Sequence, residues 1–102
     1  EPTTFEFSLN QSKAGLSSSQ DSLRQLEVEE KSTLRLLKIA QSNLKIGEKE
    51  LARLVLLLKQ NSVSRSAIDT EKQKVLQLRQ QLEDLQGKVA SYESRKSAMQ
   101  AQ

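Results

Sequence analysis

Leucine recurs at every seventh position through the first half of this chain, and a sustained seven-residue apolar repeat permits little besides a coiled coil. Leu9, Leu16, Leu23, Leu37, Leu44, Leu51 and Leu58 form one column, with Glu30 in the remaining slot. Three residues after each stand Ser12, Ser19, Leu26, Thr33, Ala40, Gly47, Leu54 and Asn61. These are the a and d columns of a heptad, with Leu at a and mostly small residues at d. No proline falls between Phe5 and Gln60. The stretch reads as one helix from about residue 5 to about 60.

The second half keeps the period with larger residues. Ile68, Val75, Leu82, Val89 and Lys96 are seven apart, as are Glu71, Leu78, Leu85, Tyr92 and Met99. They predict a second helix over about 66–102. Between the halves, Lys59-Gln60-Asn61-Ser62-Val63-Ser64-Arg65 loses the pattern and carries Asn and Ser, which places a short helix-to-helix turn at about 61–65. Ser64 or Ser66 would cap the returning helix, and Ser66-Ala67-Ile68-Asp69 has a capping-box spacing with Asp in the last place. At the start, Glu1-Pro2-Thr3-Thr4 reads as an extended lead-in, with Thr3 or Thr4 capping helix one and Glu6 in its first turn.

The two stripes are complementary in size. With a turn near residues 61–63, the small column Gly47, Ala40, Thr33 faces Val75, Leu82 or Leu85, and Val89 or Tyr92. Small against large lets two helices approach closely. Glu30 and Lys96, the polar interruptions, come to similar heights. The expected architecture is all-α: a two-helix antiparallel coiled-coil hairpin.

The helices are unequal. Helix one measures roughly 80 Å and helix two roughly 55 Å at 1.5 Å per residue. Gln102 then lies opposite about residue 22, so residues 5–21 lack a partner in the chain. Three accounts stay open: an excised fragment, cover from another chain, or a break around Gly15-Leu16-Ser17-Ser18-Ser19, where helix propensity is poor.

Composition removes most chemistry. The 102 residues are 35% hydrophobic and only 3% aromatic, too little to fill a globular core at this length. His and Cys are both absent, which removes imidazole acid–base catalysis, thiol nucleophiles and the usual zinc ligands together. The acids Glu27, Glu29, Glu30, Glu48 and Glu50 spread around a helix beside Lys and Arg at ion-pair spacings rather than converging. We expect no enzyme activity, no cofactor and no metal. The net charge of +3 is dispersed and no aromatics interleave with the basic residues, which argues against a nucleic-acid partner. The longest apolar run, Leu54 to Leu58, is far short of a membrane span, and no cleavable signal pattern opens the chain. As it stands, the chain is expected to be soluble.

Arg53, Leu57 and Ser64 stand as R-x3-L-x6-S across the end of helix one and the turn. Here the sequence resembles the tip of the α-hairpin in the periplasmic adaptors, the HlyD-like membrane fusion protein family. The similarity runs through Arg53-Leu-Val-Leu-Leu57-Leu-Lys-Gln-Asn-Ser-Val-Ser64-Arg-Ser-Ala-Ile-Asp69. Glu1-Pro2-Thr3-Thr4-Phe5 followed by Gln11-Ser12-Lys13-Ala14 is similar to the family's passage out of its lipoyl-like domain, so residues 1–4 would be a lead-in from a preceding domain.

The resemblance implies an adaptor of a tripartite efflux pump or type I secretion system. It would sit in the periplasm, attached to the inner membrane in the full-length protein, and assemble as a homo-oligomer. It would link an inner-membrane transporter to an outer-membrane duct. Arg53 would donate hydrogen bonds to the duct, Leu57 would pack into an apolar groove there, and Ser64 would hydrogen-bond at the turn. Helix one carries an extra block relative to the short hairpins of proton-driven pumps, which leaves an ABC-type exporter equally open as the transporter. The rival reading is a structural coiled-coil spacer or dimerisation module without a tip receptor. For each tip residue a local role competes: Arg53 pairing with Glu50, Leu57 flanking the seam, Ser64 capping the helix.

Overall fold

The computed structural model describes residues 2–101. They form two antiparallel helices, α1 (Pro2–Lys59, 58 residues) and α2 (Arg65–Gln100, 36 residues), in a rod of 89 × 17 × 15 Å. The chain is an all-α helical hairpin.

Helix α1 starts earlier than its sequence suggests. Pro2, Thr3 and Thr4 are already helical, so the extended backbone expected for them and the Thr cap are corrected; Glu1 lies outside the described residues. Proline restricts the residue before it, whereas its own fixed φ and missing N–H suit the first helical turn. Nor does α1 break at Gly15. A lone glycine costs about 1 kcal/mol in a helix interior, and no proline follows to remove a ladder bond.

The turn falls one residue earlier at each end than composition places it, over 60–64. Ser62 N–H donates to the Leu57 carbonyl at 2.9 Å and Asn61 N–H to that of Leu58 at 2.9 Å, the paired bonds of a Schellman stop. Asn61 sits at φ 56, the left-handed position that this stop needs and that Asn tolerates. Ser64 then takes extended backbone (φ −87, ψ 158), and its hydroxyl accepts from Ala67 N–H at 3.1 Å. Ser64 is the N-cap. The Ser66–Asp69 box is therefore not formed: Ser66 lies inside the first turn, and its carbonyl accepts from Thr70 Oγ1 at 3.0 Å.

The two α1 columns are buried to different depths. The small d residues Thr33, Ala40 and Gly47, with Leu26, are buried, while Leu23, Leu37, Leu44, Leu51 and Leu58 at a are half-buried. From α2 the buried residues are Ile68, Val75 and Leu85. Small side chains let the backbones close, so the d column lies between the helices and the leucines wrap the flank. A Cβ on Gly47 would stand 3.0 Å from Leu78 Cδ1 and 3.5 Å from Val75 Cγ2, which is the small-against-large layer read from sequence. Thr33, buried at 7% exposure, satisfies its hydroxyl by donating to the Glu29 carbonyl at 2.9 Å. Glu30 and Lys96 meet across the helices at 2.7 Å. Their pairing sets the register at the open end.

Past the last turn of α2 the seam has one wall only. Every residue from Thr3 to Ser22 is exposed, including Phe5 at 70% and Leu16 at 61%.

Candidate docking tip

The chain's turn end gathers the three residues singled out by sequence. Arg53 and Leu57 are four apart on α1, one turn above the other on a single face, and Ser64 lies across the turn at the start of α2. Each has a partner within the chain. Arg53 Nε donates to Glu50 Oε2 at 3.1 Å and Nη2 to Glu50 Oε1 at 2.6 Å, a two-pronged pair on an exposed surface. Leu57 is half-buried, and its carbonyl anchors the Schellman stop. Ser64 spends its hydroxyl oxygen on the cap.

The Glu50 pair leaves a clear electrostatic mark. Its hydrogen bonds to Arg53 hold the Glu50 carboxyl below the usual carboxylate range, and Lys74 of α2 adds a smaller pull in the same direction. Glu50 in turn raises Arg53, which stays charged at any working pH. The pair orients the guanidinium yet engages only two of its five N–H donors.

Spacing against the seam alone misses one neighbour. Leu56 is 59% exposed, more open than Leu57. Arg53, Leu56, Leu57 and Gln60 follow the i, i+3, i+4, i+7 spacing of one helical face, with Leu57 half-buried and the other three exposed. The apolar run from Leu54 to Leu58 hides this second face, because a run has no period. Counting from Arg53 rather than from the seam leucines would have found it.

Two basic residues, Lys59 and Arg65, bracket the turn, both exposed. The tip thus combines an oriented guanidinium, one exposed and one half-buried leucine, and a capped turn. Such a surface can hydrogen-bond to carbonyls or carboxylates while seating apolar side chains. Among the described residues no group of three or more acids stands close enough to hold a metal ion, and no helix is long and apolar enough to cross a membrane.

No protein-family model, curated protein or solved structure matches this chain. Its class is defined by its own geometry, a two-helix hairpin with a capped tip.

Proposed function

We propose that this chain is the coiled-coil hairpin of a periplasmic adaptor in a tripartite efflux pump or type I secretion system. It docks its tip on an outer-membrane duct and reaches back toward an inner-membrane transporter. It has no catalysis of its own: it is a spacer with a recognition end. One observation carries this reading. The R-x3-L-x6-S spacing falls on the turn of a hairpin, with Arg53 and Leu57 stacked on one outward face and Ser64 closing the turn.

The roles follow from that face. Arg53 keeps three donors beyond those bound to Glu50, and a carbonyl-rich helix-turn end on the duct would accept them. Leu57, with Leu56 beside it, supplies a small hydrophobic anchor of the kind that concentrates binding energy. Ser64 holds the turn in shape. A second reading, a spacer or dimerisation module without a receptor, draws on the fact that all three residues already have partners inside the chain.

Export in cells carrying the full-length protein separates the two. Arg53→Asp and Leu57→Asp should abolish export while expression and membrane association stay normal, because they change the recognition face and leave the buried seam residues in place. Lys38→Asp and Lys88→Asp, exposed on the shaft, should be tolerated. Export that survives both tip changes would establish the receptor-free spacer instead.

A further inference from the structure

Arg53 is held differently from the other arginines that reach a carboxylate. Among the described residues, Arg24 reaches Asp21 at 3.0 Å and Arg79 reaches Glu48 at 3.4 Å, each through Nη2 alone. Arg53 is held at two nitrogens, Nε at 3.1 Å and Nη2 at 2.6 Å, by the two oxygens of one carboxylate. Arg24 and Arg53 both pair with an acid three residues back, so spacing does not account for the difference. Reach and setting do. Glu50 has one more methylene than Asp21, and its side chain is 40% exposed where that of Asp21 is 68% exposed.

A carboxylate that engages one whole edge of a guanidinium fixes its plane as well as its position. Nε–H and one Nη2 proton are occupied, which leaves both Nη1 protons and the second Nη2 proton free. The two Nη nitrogens therefore keep a second fork, of the kind that takes two oxygens side by side. Helical side chains lean toward their own N-terminus, so an acid three residues back meets Arg53 while Leu57, four residues ahead, is left clear of the pair.

We infer that Glu50 is the positioning residue of the docking tip, fixing the plane of the Arg53 guanidinium so that its free Nη fork meets two oxygen acceptors on the duct. The inference rests on the tip reading above. It makes the pairing within the chain a condition of docking rather than a rival to it, because the two contacts use different edges of one guanidinium. Lys74 of α2 also acts on the Glu50 carboxyl, but Lys74 has a carboxylate on its own helix in Glu71 at 3.9 Å, and an ammonium has no plane to fix.

Export in cells carrying the full-length protein at limiting expression should fall about three- to tenfold with Glu50→Ala, the range expected when one long side chain loses its preset orientation. Raising expression should restore export, since affinity alone is lost, whereas Arg53→Asp should stay inactive. The thermal transition should not move, because pairs this exposed contribute little to stability. Glu50→Asp should be intermediate, as Asp21 shows that the shorter acid makes one bond at this spacing. Arg53→Lys keeps the charge without the fork, and in that background Glu50→Ala should cost nothing further. Lys74→Gln should leave export unchanged. By NMR of the hairpin, the Arg53 Nε–H should exchange with solvent more slowly than that of Arg24, and Glu50→Ala should erase the difference.

Unchanged export with Glu50→Ala, where Arg53→Asp abolishes it, would overturn the positioning role and leave the tip reading standing. Export indifferent to Arg53→Asp would remove both. Export raised by Glu50→Ala would show that the pair withholds Arg53. A further loss in the Arg53→Lys background would give Glu50 a contact of its own, and an equal loss with Lys74→Gln would make it a tie between the helices. Each of these three also overturns the inference.

Discussion

The shaft of this hairpin and its N-terminal arm carry the same heptad, yet one is sealed and the other is open. Leu23, Leu37 and Leu44 are half-buried, whereas Leu9 and Leu16 of the same column stand in solvent at 44% and 61% exposure. The leucine period is unchanged between them; what changes is whether a second helix stands opposite. The contrast shows that an apolar period specifies a face and leaves open what covers it. Hydrophobic stabilisation belongs to area removed from water, and that requires both walls.

Matched substitutions in the two regions test how far the contrast extends, and the greatest effect is expected at the largest aliphatic side chains that α2 buries. Ile68→Ala, at 5% exposure, should cost about 2–4 kcal/mol in chemical denaturation, through lost transfer energy and the cavity left behind. Leu9→Ala in the dilute chain should cost almost nothing. Equal losses would mean that the arm is packed within a single chain.

Two glycines give the next test. Gly47→Leu should destabilise by about 1–3 kcal/mol, since even its first carbon would press on Leu78 and Val75. Gly15→Leu meets nothing within 4 Å and should stabilise α1 by up to about 1 kcal/mol through helix propensity. A rise in melting temperature for both would show that the close approach at Gly47 does not constrain the seam.

At the turn, Ser64→Ala should cost roughly 1 kcal/mol by removing the cap, while Ser12→Ala in the arm should change little or slightly stabilise. The register pair offers a change of opposite sign. Replacing Glu30 and Lys96 together by Leu should raise the melting temperature, because an ion pair held partly out of water is often weaker than an apolar contact of similar volume. Lys96→Leu alone should lower it by stranding Glu30. The double replacement should also loosen the register, which broadens resonances near the open end.

The smallest expected effect is on pH. Glu50 ionises more readily in the folded chain than in the unfolded one, so its contribution is complete above the ordinary carboxylate range and fades as pH falls through its lowered value. Lys96 works in the opposite sense. Its hydrogen bond to Glu30 raises its pKa, so its contribution is present below the ordinary lysine value and is lost as pH rises through the raised one. Thermal melts should thus weaken slightly in acid and again in strong alkali. Glu50→Gln should flatten the acid side alone.

Much of this architecture was legible before any coordinates. The heptads gave two helices, and the Asn- and Ser-bearing stretch gave the turn. Spacing offered Ser64 and Ser66 as caps without choosing between them, and the position of the turn brought Glu30 and Lys96 to similar heights. The start of α1 was less legible, since proline acts in opposite senses on its predecessor and on itself. At the tip, Arg53, Leu57 and Ser64 could be picked by pattern, but Leu56 could not, as it lies inside an unbroken apolar run.

What the chain determined by itself is therefore periodic or local: helix, turn, cap and which columns are apolar, all set by backbone geometry and contacts within a few residues. Tertiary packing decided the remainder. It placed the small d column at the centre and the leucines on the flank, because backbones close until their smallest facing residues touch. It brought Lys96 to 2.7 Å from Glu30. It also sealed the leucine column wherever α2 stands opposite, since burial depends on the facing helix rather than on the column's own residues.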